Sequence, residues 1–248
     1  MKPWGDFLLK QRIQGALIAA CLTTTATADT VPTHAQDLFL RKVAHEMGHA
    51  LIREFDLPVL TSEEMIADDF APVFMGLYMP DRAVDVTRAF FRFEFYDNDQ
   101  EGLYSDYLNG ERRAARAVCL LYGMDSDRFG AIAAEVGLDG DDAARCADSA
   151  PEIARSWRRI LAPLMRPDDA RITETGVIAN PDSRYFDSLT AAGTIDDTMT
   201  MLAMIDWHSL IRLNVAQCDG SAGWSRMPAR LRSVAPTSHV LSKANRRF

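Results

Sequence analysis

The sequence predicts a mainly α-helical fold that leaves room for a small strand element, and three observations support this. Apolar residues follow helical spacing over residues 38–55, and the pattern ends before Leu57-Pro58, where proline disfavours helical backbone at the residue that precedes it. Thr61-Ser62-Glu63-Glu64 has the hydroxyl cap and acidic first turn that are typical of a helix start. Residues 168–194 are richer in turn residues than the chain that precedes them.

The predicted helices follow one another along the chain. The helix over residues 38–55 is followed by one that covers residues 61–80, with apolar side chains at helical spacing. Further helices are predicted over residues 81–95, 111–121, 127–136 and 151–164. Gly123 and Gly137 stand where glycine commonly follows a helix C-terminus. The apolar segment 199–215 is compatible with a helix, or with a helix followed by a strand.

The N-terminal segment has the pattern of a signal peptide. Basic residues precede an apolar run over residues 15–22, and Ala26-Thr27-Ala28 has the small-x-small form of a signal-peptidase site. We therefore predict that residues 1–28 are a signal peptide and that the protein is exported, either periplasmic or secreted. A lipid anchor at Cys21 is a lesser alternative. The run is too short for a transmembrane helix, which needs about 20 apolar residues.

Composition limits the possible partners of the protein, and two prolines indicate how the chain is divided. The 248 residues are 48% hydrophobic and 25% charged, with a formal net charge of -8 and no long basic stretch. This balance is that of an ordinary globular protein and argues against a nucleic-acid partner. Pro163 and Pro167 mark a change of character. We predict a helical domain over residues 29–167 that carries the chemistry, and a partly irregular C-terminal extension over residues 168–248.

One short motif, His45-Glu46-Met47-Gly48-His49, carries the predicted chemistry. Residues four apart share a helix face, so His45 and His49 can present ring nitrogens to one metal ion. Glu46 can take the proton of a zinc-activated water, which is the division of labour in zinc peptidases. The alternative is a chance match on an amphipathic helix. Gly48 argues against it, because glycine is costly in an exposed helix and its use here indicates the close approach of another backbone.

The second predicted helix offers acids for the third ligand that a catalytic zinc site usually has. Glu64 and Asp68 are four residues apart and match the Glu-x-x-x-Asp pattern of gluzincins, in which the Glu is a ligand and the Asp orients a ligand His. Glu63 and Asp69 remain competitors for the ligand position. The alternative for all these acids is a solvated first turn of a helix. His208 is a weaker candidate for a transition-state donor, because it lies far along the chain.

The motif and its surroundings resemble a known family. The segments that carry the resemblance lie within residues 36–165: His45-Glu46-Met47-Gly48-His49-Ala50-Leu51-Ile52, Asp56-Leu57-Pro58-Val59, Glu63-Glu64 with Ala67-Asp68, Glu111-Arg112-Arg113, Cys119-Leu120-Leu121-Tyr122-Gly123, Arg145-Cys146 and Ser156-Trp157. They are similar to a bacterial family of zinc metallopeptidases that is catalogued as domain of unknown function 4344. The Asp-Leu-Pro-Val and Cys…Tyr-Gly landmarks supply the specificity, since many peptidase clans share His-Glu-x-x-His.

The resemblance implies a function, a set of site residues and a disulfide. It implies a zinc-dependent peptidase that acts on peptides or proteins, with a zincin-like active-site helix packed against a second, Glu-bearing helix. The implied site residues are the metal ligands His45, His49 and Glu64 and the general base Glu46. It also implies a bridge between Cys119 and Cys146, which an oxidising compartment would permit. Reduced, buried thiols are the alternative.

A non-catalytic alternative stays open on the sequence. The segment Cys218-Asp219-Gly220-Ser221-Ala222 is a degraded counterpart of a family motif, and this favours an inactive zinc-binding or structural protein derived from such a peptidase. The intact Glu46 favours catalysis, because a structural site needs no base. A hydrolase of non-peptide amides is a third hypothesis. Peptidases of this kind hold substrate at a sheet edge, and here either residues 212–216 supply such an edge or the edge is missing.

Overall fold

The computed structural model describes residues 30–96, 108–167, 178–180, 185–208, 211–216, 223–226 and 229–234. The helices in these ranges are α1 Thr33–Glu54, α2 Glu63–Tyr78, α3 Pro80–Tyr96, α4 Gly110–Met124, α5 Ser126–Glu135, α6 Gly140–Leu161, α7 Phe186–Ala191 and α8 Thr194–Ala203. The strands are β1 Ile178–Asn180, β2 Arg212–Ala216, β3 Gly223–Arg226 and β4 Ala229–Val234. The predicted mainly α-helical fold is confirmed. The predicted signal peptide, Cys21 and the segment 218–222 lie outside the described residues.

The start of α2 follows from its capping residues. The Ser62 side chain accepts a hydrogen bond from the Met65 backbone N–H at 3.2 Å, which satisfies one of the amide groups that the first turn leaves without a helical partner. Glu63 and Glu64 then occupy the first turn, where the helix dipole favours acidic side chains. The cap therefore fixes the point on α2 at which the acidic residues emerge.

The predicted start of the sixth helix near residue 151 is wrong. Helix α6 begins at Gly140 and contains Pro151 in its interior. The proline loses one backbone hydrogen bond there, but Ala150, Ala154 and Trp157 are buried on the same helix. Burial of this apolar face keeps the helix continuous through the proline, which local propensity alone does not predict.

Helix α1 lies at the centre of the molecule. It packs against α2, α3 and α8, and its residues from Val43 to Ile52 are all buried. A Cβ added at Gly48 would lie only 3.0 Å from the Ala67 Cα of α2. The close approach of a second backbone, predicted from Gly48, is confirmed. This contact between α1 and α2 positions the candidate site.

Helices α4 and α6 are joined covalently. The structure contains the disulfide between Cys119 and Cys146 that the family resemblance implies. Next to it, a Cβ at Gly123 would collide with the backbone carbonyl of Cys146. Gly123 lies in the last turn of α4, so the close approach of α6 requires this glycine. The bridge and the glycine together hold α4 tightly against α6.

The four strands form one sheet in the order β1-β2-β4-β3. Strand β2 pairs in parallel with both β1 and β4, while β3 and β4 are antiparallel. The helix-then-strand interpretation of residues 199–215 is confirmed by α8 and β2. The predicted sheet edge at residues 212–216 is wrong, because that strand has a neighbour on each side. Among the strands that the structure describes, β1 and β3 are the edges of the sheet, and both β3 and β4 lie against α1.

The division of the chain near residue 167 stays a prediction. Side chains from both sides of that point, including Phe74, Trp157, Leu202 and Leu213, belong to one hydrophobic core. Within the described ranges, no helix has both the length and the apolar character needed to cross a bilayer.

Candidate metal centre

Two helices supply the side chains of the candidate metal centre. Helix α1 carries His45 and His49 one turn apart, with Glu46 directly after His45, and all three are buried. Helix α2 carries Glu63 and Glu64 in its first turn. Because Gly48 allows the two helices to approach closely, the acids of α2 reach the histidines of α1.

Three ligand-type atoms converge between these helices. The His45 Nε2 and His49 Nε2 atoms lie 3.1 Å apart. The Glu64 Oε2 atom lies 3.1 Å from the first and 3.2 Å from the second. Of the His, Cys, Asp and Glu residues that the structure describes, His45, His49 and Glu64 are the group that could hold a metal ion.

The dimensions and chemistry of this triangle fit a tetrahedral metal ion. Zinc bonds to nitrogen and oxygen are about 2.0 Å long, so two ligand atoms of a tetrahedron lie about 3.3 Å apart. The observed separations are 3.1 to 3.2 Å. Two imidazoles and one carboxylate are the ligand types of many catalytic zinc sites, which keep the fourth position open. The predicted ligand set is therefore brought together in a usable geometry.

The second ring nitrogen of His45 faces Asp68. The His45 Nδ1 atom lies 2.9 Å from the Asp68 Oδ1 atom. Two arginines hold the same carboxylate: Arg113 donates from Nε at 2.7 Å and from Nη2 at 3.1 Å, and Arg41 donates from Nη2 at 3.1 Å. When Nδ1 donates its proton to Asp68, Nε2 carries the lone pair that a metal needs.

Asp68 is held as a carboxylate. Burial by itself would raise the pKa of Asp68, but hydrogen bonds from His45 and Arg113 and the charge of Arg41 hold that pKa well below its usual range. Arg113 also donates to Glu94 at 3.0 Å, which ties the cluster to α3. The orienting residue thus has a fixed charge and a fixed position.

The second ring nitrogen of His49 faces a different acid. Its Nδ1 atom lies 2.7 Å from the Glu63 Oε1 atom, which also accepts from Arg53 Nε at 3.0 Å. Burial lowers the pKa of His49, but hydrogen bonds to Glu64 and Glu63 and the charges of Glu64 and Glu46 outweigh it, so the pKa is raised. Glu63 therefore lies behind the ring, away from the point where the three ligand-type atoms converge.

The candidate base Glu46 is paired with a cation. Its Oε1 atom lies 3.2 Å from the Lys42 Nζ atom, one helical turn earlier. The Glu46 side chain is only 3% exposed, whereas that of Lys42 is 35% exposed. Glu46 follows His45 directly on α1, and its charge contributes to the raised pKa of His49.

The remaining candidates lie elsewhere. Asp69, a competitor for the third ligand, forms an ion pair with Arg116 of α4. His208, a weaker candidate for a transition-state donor, lies 3.3 Å from the Glu54 carbonyl oxygen and packs on the Phe55 ring. The structure brings neither of them to the three ligand-type atoms.

A protein-family comparison agrees with this geometry. The family model DUF4344, described as "Putative metallopeptidase", matches residues 15–161, which is more than half of the chain. The chain belongs to this family. The DUF4344 match spans α1, α2 and the disulfide-linked pair α4 and α6. Comparisons with curated proteins and with solved structures gave no match.

The arginines around the site were not predicted from the sequence. Arg53 follows His49 by four residues, a spacing that places both on one face of α1. Arg113 lies in the Glu111-Arg112-Arg113 run that contributes to the DUF4344 resemblance. Its contact with Asp68 joins α4 to α2, and no short-range pattern predicts such a pairing. Arg41 is the hardest to find, because a buried arginine is rare unless it is paired.

Proposed function

We propose that this protein is a zinc-dependent peptidase with His45, His49 and Glu64 as metal ligands. The observation that carries the proposal is the convergence of two Nε2 atoms and one carboxylate oxygen within 3.2 Å of one another. Both Nδ1 atoms face carboxylates, so each ring can direct an unprotonated Nε2 toward the same point. A cation at that point would accept the lone pairs of both Nε2 atoms and balance the charge of the Glu64 carboxylate.

Zinc fits this ligand set better than magnesium or calcium, which prefer oxygen ligands. When bound, zinc would lower the pKa of a water molecule and polarise a carbonyl group. The chain contributes the placement of the ligands, because α1 and α2 pack closely where Gly48 meets Ala67. Asp68 contributes the orientation of His45.

Glu46 would act as the general base in this proposal. It is adjacent to the ligand His45 on α1 and carries the carboxylate that can accept a proton from the attacking water. Lys42 holds one oxygen of that carboxylate at 3.2 Å, which leaves the other oxygen for the proton. A peptide substrate would lie along β3, since this strand is an edge of the sheet and packs against α1.

The first test is metal content. The purified chain is loaded with Zn2+, dialysed and measured by elemental analysis, beside His49→Ala, Glu64→Ala and the control Asp69→Asn. We expect about one zinc per chain in the wild type and in the control, because Asp69 is paired with Arg116. His49→Ala and Glu64→Ala should retain far less. A wild type without zinc after reconstitution would overturn the proposed function.

The second test separates catalysis from zinc binding alone. Glu46→Gln removes the base and leaves His45, His49 and Glu64 in place. It should retain zinc and lose at least about 100-fold of the wild-type rate on fluorescein-labelled casein, a typical contribution of a general base. Wild-type protein that holds zinc but hydrolyses neither casein nor a mixed peptide library would instead favour the inactive zinc-binding protein.

A further inference from the structure

We infer that Glu63 is a positioning residue for His49 and not a metal ligand. Its carboxylate, held by Arg53, accepts the Nδ1 proton of His49 and turns the ring so that Nε2 points at Glu64 and His45. This inference deepens the proposed function and rests on it. In the sequence analysis Glu63 competes with Glu64 for the position of third ligand, and the inference gives Glu63 a different role.

The two nitrogens of the His49 ring decide between a ligand and a positioning residue. Glu63 Oε1 lies 2.7 Å from Nδ1, whereas Glu64 Oε2 lies 3.2 Å from Nε2. The two nitrogens of an imidazole point in different directions, so one metal ion cannot bind His49 through Nε2 and Glu63 through the oxygen on Nδ1. Two adjacent acids of one helix turn thus take two different roles.

Arg53 fixes the Glu63 oxygen from the other side. Its Nε and Nη2 atoms both lie 3.0 Å from the Glu63 Oε1 atom that faces His49. His49 and Arg53 are one turn apart on α1, and Glu63 is the first residue of α2. The single oxygen therefore joins two residues of α1 to the start of α2, and the Ser62 cap fixes that start.

The contact with Glu63 should make His49 Nε2 more basic and orient it toward the metal. A carboxylate that accepts the Nδ1 proton fixes the tautomer in which Nε2 can bind a metal. It also raises the basicity of that nitrogen. Loss of such an outer partner typically weakens metal affinity by about 10- to 100-fold. Glu63→Ala removes the acceptor, whereas Glu63→Gln keeps an acceptor oxygen but removes its charge.

The test measures zinc affinity by competition with a chromophoric chelator. Wild type, Glu63→Ala, Glu63→Gln and the matched control Asp69→Asn are compared, and circular dichroism checks that each is folded. Asp69 suits the control because it is also an acid of α2 paired with an arginine, but its partner lies on α4, away from the histidines. We expect one zinc per chain throughout, affinity about 10-fold or more weaker in Glu63→Ala, a smaller loss in Glu63→Gln, and no change in the control.

A second readout follows the ring itself. In zinc-loaded protein labelled with 15N-histidine, the Nδ1 proton of His49 should give a slowly exchanging signal in the wild type and in Asp69→Asn. The signal should exchange rapidly in Glu63→Ala. A merely structural role of Glu63 would not move this signal.

The outcomes distinguish the inference from the function on which it rests. Zinc binding in the wild type with equal affinities in Glu63→Ala and Asp69→Asn would overturn the positioning role alone. Loss of the bound zinc in Glu63→Ala, to the same extent as in Glu64→Ala, would make Glu63 a ligand and also overturn it. A wild type that binds no zinc would overturn the proposed function itself.

Discussion

Each of the two histidines of the candidate metal centre faces a carboxylate, and the two carboxylates differ in how far they are exposed to solvent. His45 faces Asp68, whose side chain is 11% exposed, and His49 faces Glu63, whose side chain is 28% exposed. The distances from Nδ1 to oxygen are similar, at 2.9 and 2.7 Å. The same local chemistry is therefore built once in the interior of the protein and once near its surface.

The arginines that pair with the two carboxylates differ in solvent exposure as well. Asp68 is held by Arg41 and Arg113, which are 5% and 14% exposed, whereas Glu63 is held by Arg53, which is 45% exposed. We refer to two groups of residues: the buried arm, His45, Asp68, Arg41 and Arg113, and the exposed arm, His49, Glu63 and Arg53. The buried arm connects α1, α2 and α4, whereas the exposed arm uses α1 and α2 alone.

This contrast indicates that the two arms contribute differently to the fold. Charges in the interior are costly when they are left without partners, so loss of a charged residue of the buried arm should destabilise the packing of the helices. Charges near solvent can be rehydrated, so the ion pair between Glu63 and Arg53 can be lost at little cost to stability. Both arms orient a candidate ligand, but the buried arm should also stabilise the protein.

The largest expected effect follows from Asp68→Asn. The amide removes the negative charge that Arg41 and Arg113 share, and breaking a buried ion pair costs about 3–5 kcal/mol. Urea unfolding in the presence of EDTA, so that metal does not contribute, should show this loss of free energy of unfolding. Glu63→Gln, the equivalent change in the exposed arm, should lose less than about 1 kcal/mol under the same conditions. Equal losses in the two variants would contradict the contrast between the arms.

The disulfide offers a second way to test how the buried arm depends on α4. Cys119 and Cys146 are 27 residues apart, and closure of a loop of that length stabilises a protein by about 3.5 kcal/mol in the chain-entropy model. The double variant Cys119→Ala, Cys146→Ala should lose about that much in urea unfolding. Because Arg113 lies on α4, the double variant should also increase hydrogen exchange around Arg113 more than around Arg53. An equal increase in hydrogen exchange around Arg113 and around Arg53 would show that loss of the disulfide affects the two arms alike.

The sequence could predict the parts of the site that depend on local spacing. His45, Glu46 and His49 lie within two turns of one helix, and Glu64 and Asp68 are one turn apart on the next. Helical periodicity is enough to place such residues on shared faces. The early start of α6 could not be predicted in this way, because it depends on burial against other helices and a proline argues locally against it.

The role of Glu63 and the pairing of Asp68 with Arg113 lie beyond local prediction for the same reason. A spacing of one residue separates Glu63 from Glu64, and sequence alone left both as candidates for the third ligand. Their different roles follow from which ring nitrogen of His49 each one faces, and this depends on the crossing of α1 and α2. The pairing of Asp68 with Arg113 joins residues 45 positions apart, which no periodic pattern encodes.

The smallest expected effect concerns salt. Arg53→Gln should weaken zinc affinity only a few-fold at low ionic strength, because the Arg53 side chain is 45% exposed and its ion pair with Glu63 is open to screening. At about 0.5 M NaCl the difference from the wild type should disappear, since the screening length is then well below 10 Å. Arg113→Gln, in the buried arm, should weaken affinity at both salt concentrations, because its contact with Asp68 is shielded from solvent ions. Chelator competition at the two concentrations measures both effects. The same salt dependence in the two variants would mean that the Asp68 side is as open to solvent ions as the Glu63 side, and that burial does not separate the arms.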